Sequence, residues 1–186
     1  MSSVWTEMLT VPLLARLDLD HVENIQQGEN SFDNLVLPKG YKDIVQALVE
    51  THFKKDVQNL AQERQHNVDL VKGKGKGLII LLHGAPGVGK TSTAECVAEY
   101  TNKPLFSITC GDIGDTAESV EKNLDRCFQM ANKWGCVLLL DEADVFMARR
   151  TQTDLQRNAL VSVFLRVLEY YAGILFLTTS QHQLSV

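Results

Sequence analysis

Ten residues of the chain, HGAPGVGKTS at 83–92, have the types and the spacing that suit chemistry on a phosphate. Three glycines and a proline follow the apolar run LIILL, and Gly84 to Thr91 has the spacing G-x-x-x-x-G-K-[ST]. Glycine lets the backbone wrap closely around an anion, so that successive N–H groups point inward. A helix that begins near Lys90 adds the positive end of its dipole. The stretch therefore predicts a phosphate-binding loop.

The side chains of this loop have separate expected roles. Lys90 is expected to reach the β- and γ-phosphates of a nucleotide, and the Thr91 hydroxyl to bind magnesium (Mg²⁺). A glycine-rich turn without function is the alternative, and it is disfavoured because strand, loop and helix follow in the required order. The expected nucleotide-binding residues are Gly84, Ala85, Pro86, Gly87, Val88, Gly89, Lys90, Thr91 and Ser92.

A second candidate group, VLLLDEAD at 137–144, supplies carboxylates at the end of an apolar segment. Asp141 is placed to contact Mg²⁺, directly or through water, and Glu142 to polarise a water for in-line attack on the γ-phosphate. Ligands of α/β sheets bind at the carboxyl edge of the strands, where both acids are expected. A surface turn with two acids is the alternative. We expect Asp144 to be a helix cap or a surface acid.

Apolar segments that alternate with helical patterns must position these residues. Strands are predicted at LIILL, PLFSITC, CVLLLDE and ILFLTTS, and a short helix at Thr91 to Tyr100. A further helix is predicted at YKDIVQALVETHF, residues 41–53. Strands that alternate with helices predict a three-layer α/β domain with a parallel sheet.

Capping-box patterns predict where two more helices begin. One box pairs Asp115 with Glu118, and its helix runs to Gly135. The other pairs Thr153 with Gln156, and Gly173 is expected to end that helix. The residues expected to be buried by the last helix are Leu155, Ala159, Leu160, Val163, Phe164, Val167, Leu168 and Tyr171.

Length, charge and cysteine content limit the classes of protein. A chain of 186 residues is long enough for one domain with a sizeable core. Its net charge of -5 gives no reason to expect a nucleic-acid partner, and no apolar run has the roughly 20 residues of a membrane span. The four cysteines are widely spaced and lie in or beside apolar segments, so we expect reduced thiols and no zinc site. Without a signal-peptide pattern, an intracellular, cytoplasmic location is expected.

The ordered set FDNLVLP, GKGLIILLHGAPGVGKTSTAECVAE, VLLLDEADVF and GILFLTT resembles the ATPase core of the AAA (AAA+) family over residues 32–179. The loop and the acidic strand would be its Walker A and Walker B motifs. The resemblance implies a P-loop NTPase domain with strand order 5-1-4-3-2, which binds and hydrolyses ATP with Mg²⁺. It also implies a ring of subunits in a full-length form, an unknown macromolecular client, and a position near the adenine for Phe32 to Leu37.

The chain departs from the family pattern after the fourth strand. Family members commonly have a sensor asparagine there, and Ser180 has this position, so the implied catalytic residues are Lys90, Glu142 and Ser180. Arginine fingers, the fifth strand and the helical lid are not found, and Arg149 and Arg150 are expected to be surface residues. We expect a truncated product with an unpaired edge at the first strand. Its expected parts are an N-terminal extension at 1–31, an incomplete core at 32–180 and a tail at 181–186.

The spacing of the motifs also bears on other classes of nucleotide-binding protein. A DEAD-type helicase would place its acidic motif further from the phosphate loop and follow it with an S-A-T-like stretch, and a small-molecule kinase would have an arginine-rich lid. A nucleotide-binding subunit that does not turn ATP over stays open, because the fingers and lid are absent. The segment GDIGDT falls at the family's pore loop with Ile113 as the one candidate grip, but a turn that caps the next helix is preferred.

Overall fold

The computed structural model of the chain describes residues 31–38, 40–62, 76–147 and 154–180. The predictions for most of the N-terminal extension, for the tail at 181–186, and for Arg149, Arg150 and Thr153 lie outside these residues.

The described helices and strands alternate as the sequence predicts. In chain order they are α1 Ser31–Asn34, α2 Tyr41–Gln62, β1 Leu78–His83, α3 Lys90–Tyr100, β2 Leu105–Thr109, α4 Cys110–Ile113, α5 Ala117–Trp134, β3 Val137–Asp141, α6 Asp144–Met147, α7 Leu155–Leu168 and β4 Ile174–Thr179.

The four strands form one parallel sheet in the order β1-β4-β3-β2. This is the predicted order for strands 1 to 4. The inner strand β4 is buried along its whole length, and β3 is buried up to Asp141. Because helices cover both faces of a parallel sheet, such strands are apolar throughout rather than alternating.

Helices on both faces complete the three predicted layers. On one face, Val45 and Val49 of α2 and Val97 of α3 pack against Leu139 and Phe176 of the inner strands. On the other face, α5 and α7 pack against the opposite sides of the same strands. The buried side chains at the centre of this second face are Val120, Leu124, Leu138, Leu140, Phe164 and Leu175.

The strand β1 lies at an edge of the described sheet. Within the described part of the chain it pairs with β4 alone, as expected for this edge. Its side chains alternate in burial, and Ile79 and Leu81 are 41% and 38% exposed. One face of β1 is therefore only partly covered, unlike the faces of β3 and β4.

Both predicted capping boxes are one residue too early. The Thr116 side chain accepts a hydrogen bond from the Ser119 N–H at 3.2 Å, so Thr116, not Asp115, caps α5. Asp154 caps α7 by accepting from the Arg157 N–H at 3.0 Å. Neighbouring residues in each pair are all good caps, and the apolar spacing does not decide between them.

The buried face of α7 is shorter than predicted. Leu155 is 78% exposed and Ala159 is also exposed, so neither side chain lies on the core. Val161 is buried instead. The helix ends at Leu168 with Glu169 as its C-cap, before Gly173. Gly173 has a different role, since a Cβ there would lie 2.5 Å from the Tyr171 hydroxyl.

The described helices include none that is both long enough and apolar enough to cross a membrane.

Removal of a large side chain from the centre of the sheet should destabilise the domain. Leu139→Ala, at a fully buried position on β3, is expected to lower the free energy of unfolding by about 2–5 kcal/mol, because it leaves a cavity between sheet and helices. Leu155→Ala is the matched control at an exposed position, with an expected change within about 0.5 kcal/mol. Urea unfolding measures both, and equal effects would contradict the assignment of the core.

Candidate functional site

The loop between β1 and α3 has the backbone of an open cradle. Gly87 and Gly89 have φ values of 79° and 92°, a region that side-chain-bearing residues rarely adopt. A Cβ built at either position would have no atom within 4 Å, so the space beside both α-carbons is free. This geometry fits a loop that curves around a phosphate group.

The first turn of α3 offers backbone donors to an anion. Gly89 is the N-cap and has no side chain to accept from the first amides, so the helix has no side-chain cap. The first N–H groups of a helix have no partner within the helix, and the helix dipole favours an anion beside them. These N–H groups belong to Lys90, Thr91 and Ser92, three of the residues that the sequence predicts for nucleotide binding.

Lys90 connects the loop with the end of β4. Its Nζ donates to the carbonyl oxygens of Gly84 at 2.9 Å and Ala85 at 3.0 Å, and to Ser180 Oγ at 3.4 Å. The structure thus brings together two of the residues predicted to be catalytic, which are 90 positions apart in the chain.

Thr91 and Asp141, the two predicted metal ligands, are also in contact. The Thr91 hydroxyl donates to Asp141 Oδ2 at 3.2 Å, across the gap between α3 and the end of β3. Mg²⁺ prefers oxygen ligands and is commonly bound by one or two carboxylates together with substrate phosphates. A hydroxyl and a carboxylate beside a phosphate loop fit such an ion.

Glu142, the predicted base, has an unusual backbone conformation. Its φ is 56°, which is uncommon for a residue with a side chain. Its N–H donates to Asp141 Oδ1 at 3.1 Å and to Thr178 Oγ1 at 3.0 Å, and its carbonyl accepts from Cys110 Sγ at 2.9 Å. Strained residues of this kind cluster at functional sites, and the side chain itself is exposed.

The end of β4 binds both neighbouring aspartates, which the sequence analysis did not foresee. The Thr178 hydroxyl donates to Asp141 Oδ1, while the Thr179 hydroxyl and the Ser180 N–H both donate to Asp144 Oδ1. Asp144 is therefore half-buried and holds the end of a strand, rather than being a surface acid. Two threonines at the end of an otherwise apolar strand were the available signal.

Cys110 lies beside the acids and has a perturbed thiol. Burial, followed by the charges of Asp144, Glu142 and Asp141, raises the pKa of Cys110 from 9.0 to about 11. Both effects disfavour the thiolate, because it would lose solvation and stand next to like charges. The thiol is thus held as a neutral hydrogen-bond donor at the edge of the site.

Burial corrects the expectation for Phe32 and agrees with the preferred interpretation of the segment around Ile113. Phe32 is 2% exposed and stacks on Tyr100 with ring centroids 4.8 Å apart. Tyr100 ends α3, about 15 Å along the helix from Lys90, so the Phe32 side chain is a core residue and is not free to contact an adenine. Ile113 ends the short helix α4 and is fully buried, so it is not an exposed grip for a client.

Known proteins resemble this chain in sequence and in fold. Residues 80–185 match the model of the ATPase family associated with various cellular activities (AAA). The chain is 27% identical over 183 residues to the mitochondrial Lon protease homolog of Yarrowia lipolytica. The aligned region covers 87% of this chain and 15% of that protein. It is 36% identical over 87 residues to the Lon protease of Leptospira interrogans, and this aligned region covers 41% of this chain and 10% of that protein. The chain thus spans 10–15% of the length of these curated relatives.

A solved structure of an E. coli MS115-1 HORMA:CdnC:Trip13 complex has a similar chain, with a TM-score of 0.54 and 17% identity over 81% of this chain and 59% of that chain. At this identity the likeness shows the fold alone. The likeness and the parallel sheet confirm the predicted α/β class, and the match to the AAA family model gives its P-loop NTPase type.

The high pKa of Cys110 should make its alkylation slow at neutral pH. Because the thiolate is the reactive form, a pKa of about 11 rather than 9.0 lowers the thiolate fraction at pH 8 by roughly 100-fold. We expect iodoacetamide to modify Cys110 far more slowly in the folded chain than in the urea-unfolded chain, with a rate that rises toward pH 11. Peptide mass spectrometry measures the rates. Equal rates in both states at pH 8 would contradict the described environment of this thiol.

Proposed function

The chain belongs to the AAA family of ATPases, and we propose that it binds ATP with Mg²⁺ and hydrolyses the bond to the γ-phosphate. One observation carries the proposal: Lys90 and Thr91, which begin the helix after the loop, contact Ser180 and Asp141 at the ends of two other strands. Phosphate-binding donors, metal-binding oxygens and a candidate base thus meet at the carboxyl edge of the sheet, where α/β proteins bind ligands.

Phosphate binding is assigned to the loop at 84–92. Its backbone N–H groups, with those of the first turn of α3, donate to phosphate oxygens. The Lys90 ammonium has three donors and already lies within the loop on the carbonyls of Gly84 and Ala85. A phosphate oxygen can replace one of these carbonyl acceptors while the side chain stays in the loop.

Metal binding and proton transfer are assigned to the last residue of β3, Asp141, and to Glu142 directly after it. Thr91 Oγ1 and an Asp141 carboxylate oxygen would hold Mg²⁺, which supplies neutralisation of the charge on the phosphoryl oxygens when it is bound. The Glu142 carboxylate is exposed and accepts the proton of the attacking water. Ser180 Oγ, next to Lys90 Nζ, helps to orient that water or the γ-phosphate.

The remainder of the proposal follows from the family. It comprises a core at 32–180 between an extension at 1–31 and a tail at 181–186, self-association into a ring in a full-length form, and remodelling of a protein client. The relatives are named proteases, but they are several times longer than this chain, so proteolysis is not proposed for it.

A reducing compartment, the cytoplasm, is proposed because all four cysteines are free thiols. The acidic net charge of -5 is the reason that no nucleic-acid partner is proposed.

Two substitutions separate ATP binding from ATP hydrolysis. Glu142→Gln removes the base and is expected to lower kcat by about 10²- to 10⁴-fold while ATP affinity stays within about twofold. Lys90→Ala removes a charged donor and is expected to weaken ATP binding by about 10- to 100-fold. Phosphate release and calorimetric ATP binding are the measurements.

The control is Asp125→Asn, an equivalent removal of charge at an exposed position of α5, which should change neither quantity. A wild-type chain that binds ATP without releasing phosphate would support the nucleotide-binding subunit instead. A wild-type chain that does not bind ATP would contradict the whole proposal.

A further inference from the structure

We propose that Thr178 is a positioning residue for the hydrolysis reaction, because its hydroxyl holds both Asp141 and the backbone of Glu142. Thr178 lies on β4, is 1% exposed, and was not among the site residues predicted from the sequence. The inference rests on the proposed ATPase function and assigns a new residue to it.

The hydroxyl of Thr178 makes two hydrogen bonds of opposite sense. It donates to Asp141 Oδ1 and accepts from the Glu142 N–H at 3.0 Å. A hydroxyl has one donor and two acceptor lone pairs, so both bonds can form at once. One buried atom therefore connects the acid assigned to the metal with the residue assigned to the attacking water.

The backbone of Thr178 adds a third connection to the same segment. Its carbonyl oxygen accepts from the Ala143 N–H at 2.8 Å. The pairing of β3 with β4 ends just before, where Leu140 lies beside Leu177. Asp141 still pairs with Thr109 of β2, whereas Glu142 and Ala143 leave the sheet and are hydrogen-bonded to Thr178.

The conformation of Glu142 explains why such an attachment matters. A positive φ at a residue with a side chain persists only when its surroundings hold it. The Thr178 hydroxyl holds the N–H of Glu142 from the neighbouring strand, and the Cys110 thiol holds its carbonyl from the other side. Without the hydroxyl, the direction in which the Glu142 side chain leaves the backbone is less well fixed.

A role in core packing does not require the hydroxyl. β4 is buried along its length, and valine has nearly the same shape as threonine and suits a buried strand. A hydroxyl in this position is costly unless it is hydrogen-bonded, and its hydrogen bonds go to the residues of the site. The chemistry of the side chain, rather than its shape, therefore defines the proposed role.

The test is Thr178→Val, which removes the hydroxyl and keeps the shape. We expect kcat for ATP to fall by about 10-fold or more. The affinity for Mg·ATP should change by less than about threefold, because the phosphate loop is untouched and the Asp141 carboxylate keeps its hydrogen bonds from Thr91 and from the Glu142 N–H. Thr178→Ser restores a hydroxyl and should recover most of the wild-type kcat. Thr101→Val is the matched control, because it makes the same change at the end of α3, where the hydroxyl contacts Val97 O.

A double-substitution cycle distinguishes positioning from a general structural effect. Because Thr91 and the Glu142 N–H still hold Asp141 in Thr178→Val, the lost hydroxyl should act on the reaction through Glu142, and adding Thr178→Val to Glu142→Gln should lower kcat by less than about twofold further. A full additional loss in the double variant, or a Thr178→Val variant with wild-type kcat, would overturn the inference. If Thr178→Val does not fold, Thr178→Ala is measured against Thr178→Ser with the same criteria.

Failure of the inference and failure of the proposed function give different results. A wild-type chain that releases no phosphate from ATP removes the proposed function and the inference with it. A wild-type chain that hydrolyses ATP, together with an unaffected Thr178→Val variant, removes the inference alone.

Discussion

Parallel pairing of β4 with β1 on one side and β3 on the other is the constraint on which the site depends. Because the strands run in the same direction, their carboxyl ends lie side by side at one edge of the sheet. The Gly84 N–H donates to the carbonyl of Thr179, so the phosphate loop begins at the point where β4 ends. Residues far apart in the chain can then meet at this edge without any long loop to carry them.

The site is a polar network set on an apolar sheet. Thr178 and Thr179 are buried, and their hydroxyls donate to Asp141, the last residue of β3, and to Asp144, which follows the strand. Buried polar groups stabilise a fold only when they are hydrogen-bonded, and here the bonds also fix the acids. The left-handed backbone of Glu142 is a local cost that these bonds offset. Stability and positioning therefore come from the same contacts.

Much of the fold, including the open backbone of the glycine-rich loop between β1 and α3, could be predicted from the sequence, because local rules decide it. The glycine spacing of the loop has one common use, and β3 and β4 are apolar along nearly their whole length. Helix starts were off by one residue, since Asp115 and Thr116 are both good caps. Leu155 has the correct helical spacing to be buried, but its side chain does not lie on the core.

The contacts that complete the site depend on which strands become neighbours, so the sequence alone did not reveal them. Thr178 was overlooked, and Asp144 was expected to be a helix cap or a surface acid, because the partners of each residue lie on another strand. Phe32 was placed by resemblance near an adenine, but packing on Tyr100 makes it a core residue. In each case a tertiary contact decided the role of a residue that its local pattern left ambiguous.

The central claim, that the phosphate loop and the acid at the end of β3 form one Mg·ATP site, is tested most directly by the effect of Mg²⁺ on ATP affinity. Calorimetric titrations with Mg²⁺ and with a chelator would be compared for the wild-type chain and for Asp141→Asn. The account predicts that Mg²⁺ tightens ATP binding by about 10-fold or more in the wild type and by less than about threefold in the variant, since Asp141 is a proposed metal ligand. An equal Mg²⁺ effect in both chains, or none in the wild type, would contradict it.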